Sequence, residues 1–298
     1  MANSLYLKTD FFAVALYREA VALRLSGIDK KILIMLPLCK DDYLSSVNYG
    51  FSLTVCGLRE LQLIKTAAER IKKNAFLHIK INSGMNRLGL DSLEELDAAL
   101  KIIKKSGYLV CEGIYSHFSD NTDKEFTACQ FDNFSKFYSL CKCYFPSVIS
   151  HISASGGILL SQKYHLDMVR CGIMLYGYTP YKTNKISLKP VLSVKTKVLA
   201  CRKLEKYSHS GYGAYRLEDD GYISVARAGY GDGILRASKG YINNLCMDLS
   251  FISGKHAPFS EIPLLNDNLN ADALAENCGT ISYEILTNIT KRLNIIYE

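Results

Sequence analysis

The chain has 298 residues, 48% hydrophobic and 22% charged, with a formal net charge of +7. Its length can bury a large core in one long domain or two, and its scattered Lys and Arg exclude a nucleic-acid footprint while leaving a mild field suited to small anions. Ten cysteines without a CxxC pair exclude a disulfide framework, and no run reaches the roughly 20 apolar residues of a membrane span, so a cytoplasmic globular protein is expected.

Up to about residue 178 the rhythm is strand, then helix. The run DFFAVAL, after a short polar lead, has the texture of a strand buried on both faces of a parallel sheet. VALYREAVALRLSGI then places apolar residues at helical spacing and stops at a glycine. Further β-rich runs follow at KILIML (31–36), FSLTVCG (51–57) and AFLHIKIN (75–82). SLEELDAALKIIKKSGY has a Ser cap, early acids and late lysines, the charge order that suits a helix dipole. LVCEGIYSHF (109–118), SVISHISAS (147–155) and DMVRCGIMLYG (167–177) complete seven predicted strands. Alternation of this kind predicts right-handed βαβ units and a parallel sheet. A closed (β/α)₈ barrel needs eight strands and an open doubly wound sheet can have seven, so the count alone leaves both open. Between 191 and 262 the texture becomes β-runs with glycine turns, which predicts antiparallel structure, hence a first domain over 1–185 and a second over 186–298. ADALAENCG (271–279) and YEILTNITKRL read as closing helices.

Polar residues interrupt the apolar runs at one kind of place. Lys80 and Arg87 flank INSGMN, His117 ends the fifth run, His151 and Ser155 end the sixth, and Arg170 lies in the seventh. A lone histidine there is usually a satisfied core residue. Repetition in consecutive units points instead to a site on the C-terminal face of a barrel. SASGG and RCGIM, small-residue loops after the last two runs, suit a phosphate. GYGAY and GYGDG fail the G-x-G-x-x-G spacing and sit in strand–turn–strand flanks, which excludes a Rossmann site. Cys141 and Cys143 lack a second cluster and read as structural rather than metal-binding.

IKINSGMNRLG, YSHFSDNTD, DMVRCGIMLYG, LKPVLSVKTKV, SGYGAY, AGYGDGILR, LCMDL and GTISYEI, in that order from about residue 10 to 298, resemble the motif series of bacterial alanine racemases. The resemblance implies a pyridoxal 5′-phosphate (PLP) enzyme with a TIM-type barrel and a C-terminal β domain. It interconverts L- and D-alanine, supplying D-alanine for peptidoglycan. It further implies that Ser155, Gly172, Ile173 and Tyr283 hold the cofactor phosphate and that Arg170, backed by His151, faces the ring nitrogen. A guanidinium keeps its proton, so that nitrogen stays unprotonated. Tyr212, reaching in from a second subunit of a homodimer, matches one catalytic base and His117 its activator, since a phenol near pKa 10 needs help at neutral pH. Arg87 and the backbone at Met247 match the carboxylate site, with Tyr230 at its entrance. Lys80 matches a lysine that is often carbamylated.

The chain departs from the family pattern in three places. HISAS stands where H-x-A-N-S is usual, Asn82 stands where an acid is usual, and no lysine stands in a K-A-N-x-Y-G motif, which in the family carries the cofactor lysine and second base. The expectation is a barrel lacking its first βα unit, with PLP held noncovalently and no turnover. The competing expectation is a noncatalytic relative that binds PLP or a partner; retention of SGYGAY and Arg87, whose family roles concern substrate, favours the first.

Overall fold

The computed structural model describes residues 1–213, 215–238, 242–266, 269–289 and 292–297. The chain divides into two compact units, Met1–Gly172 and Ile173–Glu298, each with its own apolar core.

The first unit opens with α1 (Ala2–Leu5) and then alternates β1 (Phe11–Val14), α2 (Tyr17–Leu25), β2 (Lys31–Ile34), α3 (Asp42–Asn48), β3 (Ser52–Val55), α4 (Leu58–Ile71), β4 (Ala75–Lys80), α5 (Leu93–Lys105), β5 (Leu109–Tyr115), α6 (Lys124–Tyr144), β6 (Ile149–His151) and α7 (Ser155–Leu160). The six strands form one sheet in sequential order, every pair parallel. This is the strand-by-strand winding of a TIM-type barrel. Ile32, Leu53, Leu77, Ile79 and Ile114 are fully or almost fully buried between sheet and helices. Local signals explain the helices. Ser92 Oγ accepts from Glu95 N at 3.2 Å to start α5, and Gly27 leaves α2 with φ +89°, a conformation only glycine adopts without strain.

Two sequence expectations change. DFFAVAL is not buried on both faces: β1 pairs only with β2, at the sheet edge, and its four residues are half-buried or exposed. The seventh run is not a strand. Arg170 makes a single parallel bridge to Ala154, after which Ile173–Tyr176 turns into a 3₁₀ helix. Glycines at 172 and 177, the latter at φ +87°, interrupt the run before it can extend.

The second unit is a five-stranded antiparallel sheet in the order β11 (Ile242–Leu245), β12 (Ser250–Ser253), β10 (Gly221–Ala226), β7 (Val194–Leu204), β13 (Glu261–Leu265). A short ribbon, β8 (His209–Ser210) with β9 (Tyr215–Arg216), stands beside the sequence SGYGAY. The beginning of β7 alternates buried and exposed residues, as a sheet with one covered face requires. Helices α8 (Ala271–Cys278) and α9 (Ser282–Asn288) follow; α8 is capped by Asn270 and closed by left-handed Gly279. Ala214, Tyr241, Thr290 and Lys291, which belong to runs singled out in the sequence, lie outside the described residues. Among those described, no helix is long and apolar enough to cross a membrane.

Candidate functional site

The C-terminal ends of β4, β5 and β6 bring four of the sequence candidates together. Arg170 is the hub. Its Nη1 donates to His151 Nδ1 at 2.5 Å, and its Nη2 donates to the carbonyls of Ser116 (2.8 Å) and Ile152 (3.0 Å). Nη2 also lies 3.3 Å from His117 Nδ1. The Nε edge makes no hydrogen bond to another described residue. Backbone carbonyls at the ends of two parallel strands thus hold the guanidinium in one plane. The Tyr115 ring lies under it, 5.3 Å from Cζ, and stacks on His151 with centroids 4.8 Å apart and planes 3° apart. Tyr115 is itself fixed through its hydroxyl, 2.9 Å from Thr54 Oγ1 and donating to the Met35 carbonyl.

Lys80 ends β4, buried, with Nζ 4.5 Å from the centre of the same ring. No carboxylate pairs with it among the described residues. Burial, reinforced by Arg170 and Arg87, pushes its amine down to about 7. Arg87 is exposed in the loop after β4. Burial and then the Arg170 charge push His117 down to about 3 and hold His151 well below the ordinary histidine range, so both rings are neutral near pH 7. Burial lowers Arg170 only to about 10, which leaves it a cation.

The SASGG loop adds a small-residue turn. Gly172 N donates to Ser155 Oγ at 3.0 Å. A Cβ at Gly156 would lie 2.1 Å from Asn121 Oδ1, and one at Gly157 would lie 2.4 Å from Ser153 Oγ, so both positions require glycine. Asn121 keeps a buried Nδ2 with no hydrogen-bond partner.

The remaining candidates belong to the second unit. Ile173 is its first residue, with a buried side chain, so only its backbone can meet an anion. Tyr212 tops the turn between β8 and β9 and is 78% exposed. Asn244 Nδ2 donates to the carbonyls of Ser210 and Tyr212, fixing that turn from β11. Tyr230 and Met247 come together through the backbone: Tyr230 N donates to Cys246 O at 3.0 Å and Gly231 N to Met247 O at 2.9 Å. Gly229 permits this approach, since a Cβ there would sit 2.2 Å from Cys246 O. Tyr283 lies on α9, partly exposed, with burial raising its phenol.

The sequence did not reveal His78, Glu112 and Tyr115. His78 lies two residues before Lys80, so period-two spacing could have placed it on the same face. Glu112 carried no such signal. Between Leu77 and His78 the β4–β5 register slips by one residue, leaving Glu112 without a partner across the ladder. Cys111 meets Cys141 of α6, whereas Glu112 meets Ser52, Lys31 and His78. A bulge of this kind re-aims a side chain that strict alternation would send elsewhere.

Residues 1–180 match the family profile of the alanine racemase N-terminal domain, and residues 191–297 that of its C-terminal domain. Alanine racemase 1 of Clostridium acetobutylicum is 33% identical over 314 aligned positions, covering 96% of this chain and 81% of the relative. An alanine racemase of Staphylococcus epidermidis is 30% identical with the same coverages. Among solved structures, alanine racemase of Clostridium difficile 630 superposes with a TM-score of 0.88 at 29% identity, covering 98% of this chain and 82% of that one. The Bacillus anthracis enzyme with bound L-Ala-P gives 0.84 at 28%, covering 93% and 78%. With a parallel sheet wound as a barrel, an antiparallel second unit and both family profiles matched in order, the chain belongs to the alanine racemase family.

Proposed function

We propose that this chain is a cytoplasmic, PLP-binding, alanine racemase-like protein acting as a homodimer. The observation that carries the reading is Arg170, a half-buried cation pinned by two carbonyls and two neutral histidines, with its Nε edge uncommitted. The residues fit the cofactor. Ser155, the backbone at Gly172, the glycine pair at 156–157 and the unpartnered Asn121 Nδ2 offer a phosphate small donors within the first unit; the Ile173 backbone and the Tyr283 phenol are the second unit's candidates for the same anion. Arg170 Nε offers its proton to a ring nitrogen and, as a guanidinium, does not surrender it. When bound, PLP supplies the conjugated ring that delocalises the electron pair left as a proton departs from the substrate Cα.

The chain's own groups handle substrate and protons. Arg87 is the first unit's candidate for the amino-acid carboxylate; the backbone at Met247 and the phenol of Tyr230 are the second unit's candidates for the substrate. Lys80, unprotonated in part at neutral pH, attacks CO₂ through its neutral amine and gives up one N–H proton to water; the carbamate then presents an anion to Arg87 in place of a surplus cation. Tyr212 of a second copy moves the proton on one face of Cα. His117, accepting at Nδ1 from Arg170, carries its proton on Nε2 and offers it as a hydrogen bond to the Tyr212 oxygen of the second copy.

A polypeptide of these 298 residues has no lysine in a K-A-N-x-Y-G motif, so it holds PLP noncovalently and lacks the proton carrier for the opposite face. Equilibrium dialysis with PLP, borohydride trapping with mass spectrometry, and a chiral assay of L- to D-alanine test this. The expected result is one PLP per chain, no trapped adduct and turnover no faster than free PLP. Absence of binding contradicts the cofactor assignment; turnover well above free PLP contradicts the missing carrier.

A further inference from the structure

The contacts behind Arg170 do not stop at His151. His151 Nε2 lies 2.8 Å from His78 Nδ1, and His78 Nε2 lies 3.2 Å from Glu112 Oε2. Glu112 is held in turn by Lys31 Nζ at 2.6 Å and by the Ser52 hydroxyl. The chain runs through the sheet interior across β6, β4, β5, β3 and β2. Both imidazoles are fully buried.

Two fixed ends set the direction of every hydrogen bond: Arg170 only donates, and an ionised Glu112 only accepts. Arg170 can only donate, so His151 Nδ1 must be a bare lone pair and its proton must sit on Nε2. That proton is donated to His78 Nδ1, which must also be bare, leaving the second proton on His78 Nε2, directed at the carboxylate. Glu112, an acceptor when ionised, closes the series. Each link polarises the next, and the low-dielectric interior strengthens all of them. Burial opposes ionisation of Glu112, but His78, Lys31 and Ser52 outweigh it and hold the carboxyl down at about 2. Burial likewise keeps His78 neutral.

The backbone makes room for this arrangement. A Cβ at Gly113 would lie 2.3 Å from His78 Nδ1, and the bulge beside it turns Glu112 inward. An isolated buried acid would be expelled or protonated; this one is partnered on three sides.

We propose that Glu112 and His78 are positioning residues for Arg170, fixing both buried histidines as Nε2–H tautomers so that the guanidinium always meets a lone pair and keeps one orientation. The functional part of this inference rests on the reading of Arg170 as the residue that faces the PLP ring. The tautomers do not.

The test is ¹⁵N–¹H correlation spectroscopy of imidazole-labelled full-length chain, without cofactor, near pH 7, assigned with His78→Gln and His151→Gln. Both rings are expected to be neutral and protonated on Nε2. A cationic ring, or a proton on Nδ1 of either, overturns the proposal whatever PLP does. In Glu112→Gln, whose amide can donate as well as accept, only the Arg170 end still sets the direction, so His151 is expected to show a share of Nδ1–H tautomer in which its bond to Arg170 is broken. PLP affinity is expected to fall on the order of tenfold, the size such outer partners contribute in ligand-holding histidines. An unchanged His151 spectrum in a folded Glu112→Gln protein overturns the proposal. Should that variant fail to fold, Gly113→Ala perturbs the His78 ring without touching a charge and must disturb the same resonances. Correct tautomers in a protein that binds no PLP would refute the functional reading and leave the tautomer assignment standing; PLP binding with reversed tautomers would do the opposite.

Discussion

Lys80, His117, His151 and Arg170 of the first unit stand on strand ends, and the polar groups around Arg170 and His151 are buried, hydrogen-bonded and stacked on one tyrosine. Tyr212, Tyr230 and Met247 of the second unit stand on turns, substantially exposed, and the hydrogen bonds described above hold their backbone rather than their side chains. The difference teaches where stability and function are tied. A buried polar group must keep its partners or cost free energy, so His117, His151 and Arg170 cannot be altered without weakening the fold; Lys80, buried with no carboxylate beside it among the described residues, is the exception. An exposed loop side chain carries no such debt, and its substitution leaves the fold intact.

The largest expected effect is at Glu112. Removing one member of a buried charged pair typically costs about 3–5 kcal/mol, so Glu112→Ala is expected to lose on the order of 3 kcal/mol in urea unfolding. The same group shapes acid stability. Its carboxyl is held near 2 in the folded state against an ordinary 4.5, so its contribution is complete above about 4.5 and disappears as pH falls toward 2. The neutral histidines add an earlier loss. Because His117 titrates near 3 when folded and near 6.5 when unfolded, stability begins to fall as soon as pH drops below 6.5. A pH series comparing wild type with Glu112→Gln should show the lower step vanish; a persisting step would break the contrast between the two units.

Lys80 carries the next effect, with opposite sign. Its amine is depressed to about 7, so the unfolded chain binds more protons between 7 and 10.5 and stability rises with pH across that window. Lys80→Met should therefore stabilise the protein at pH 7 by roughly 1 kcal/mol and abolish that rise. A destabilised Lys80→Met protein would mean that the stacking on Tyr115 outweighs desolvation.

Smaller still are the helix caps, one in each unit. Ser92→Ala and Asn270→Ala each remove an oxygen that accepts from the third helical N–H and should each cost about 1 kcal/mol. Thermal unfolding followed in both variants shows whether the two units melt together. Tyr212→Phe sits at the bottom of the scale, with an expected change within about 0.5 kcal/mol; a larger loss would place that phenol among the structural groups.

Much of this was legible from residue patterns. β-rich runs located β2 through β6, and helical patterns located α5, with its Ser cap, and α8, because each obeys a local rule. Position at strand ends singled out Lys80, His117, His151 and Arg170. What escaped depended on neighbours rather than spacing. DFFAVAL has the composition of a central strand, but sheet order puts it at an edge. The seventh run lost its ladder to two glycines. Glu112 faces inward because of a one-residue slip in pairing, which no single-strand pattern records, and Gly113 looks unremarkable until His78 is seen to need its missing Cβ.

Arg170 is proposed to face the pyridine ring of PLP, and its donors are then needed for binding. Fluorescence titration of PLP into the full chain and into Arg170→Met, which keeps the packing volume and removes the donors, measures this directly. One site per wild-type chain is expected, with an affinity loss of at least tenfold in the variant, about 1.4 kcal/mol. Equal affinity in the two proteins, both folded, would contradict it.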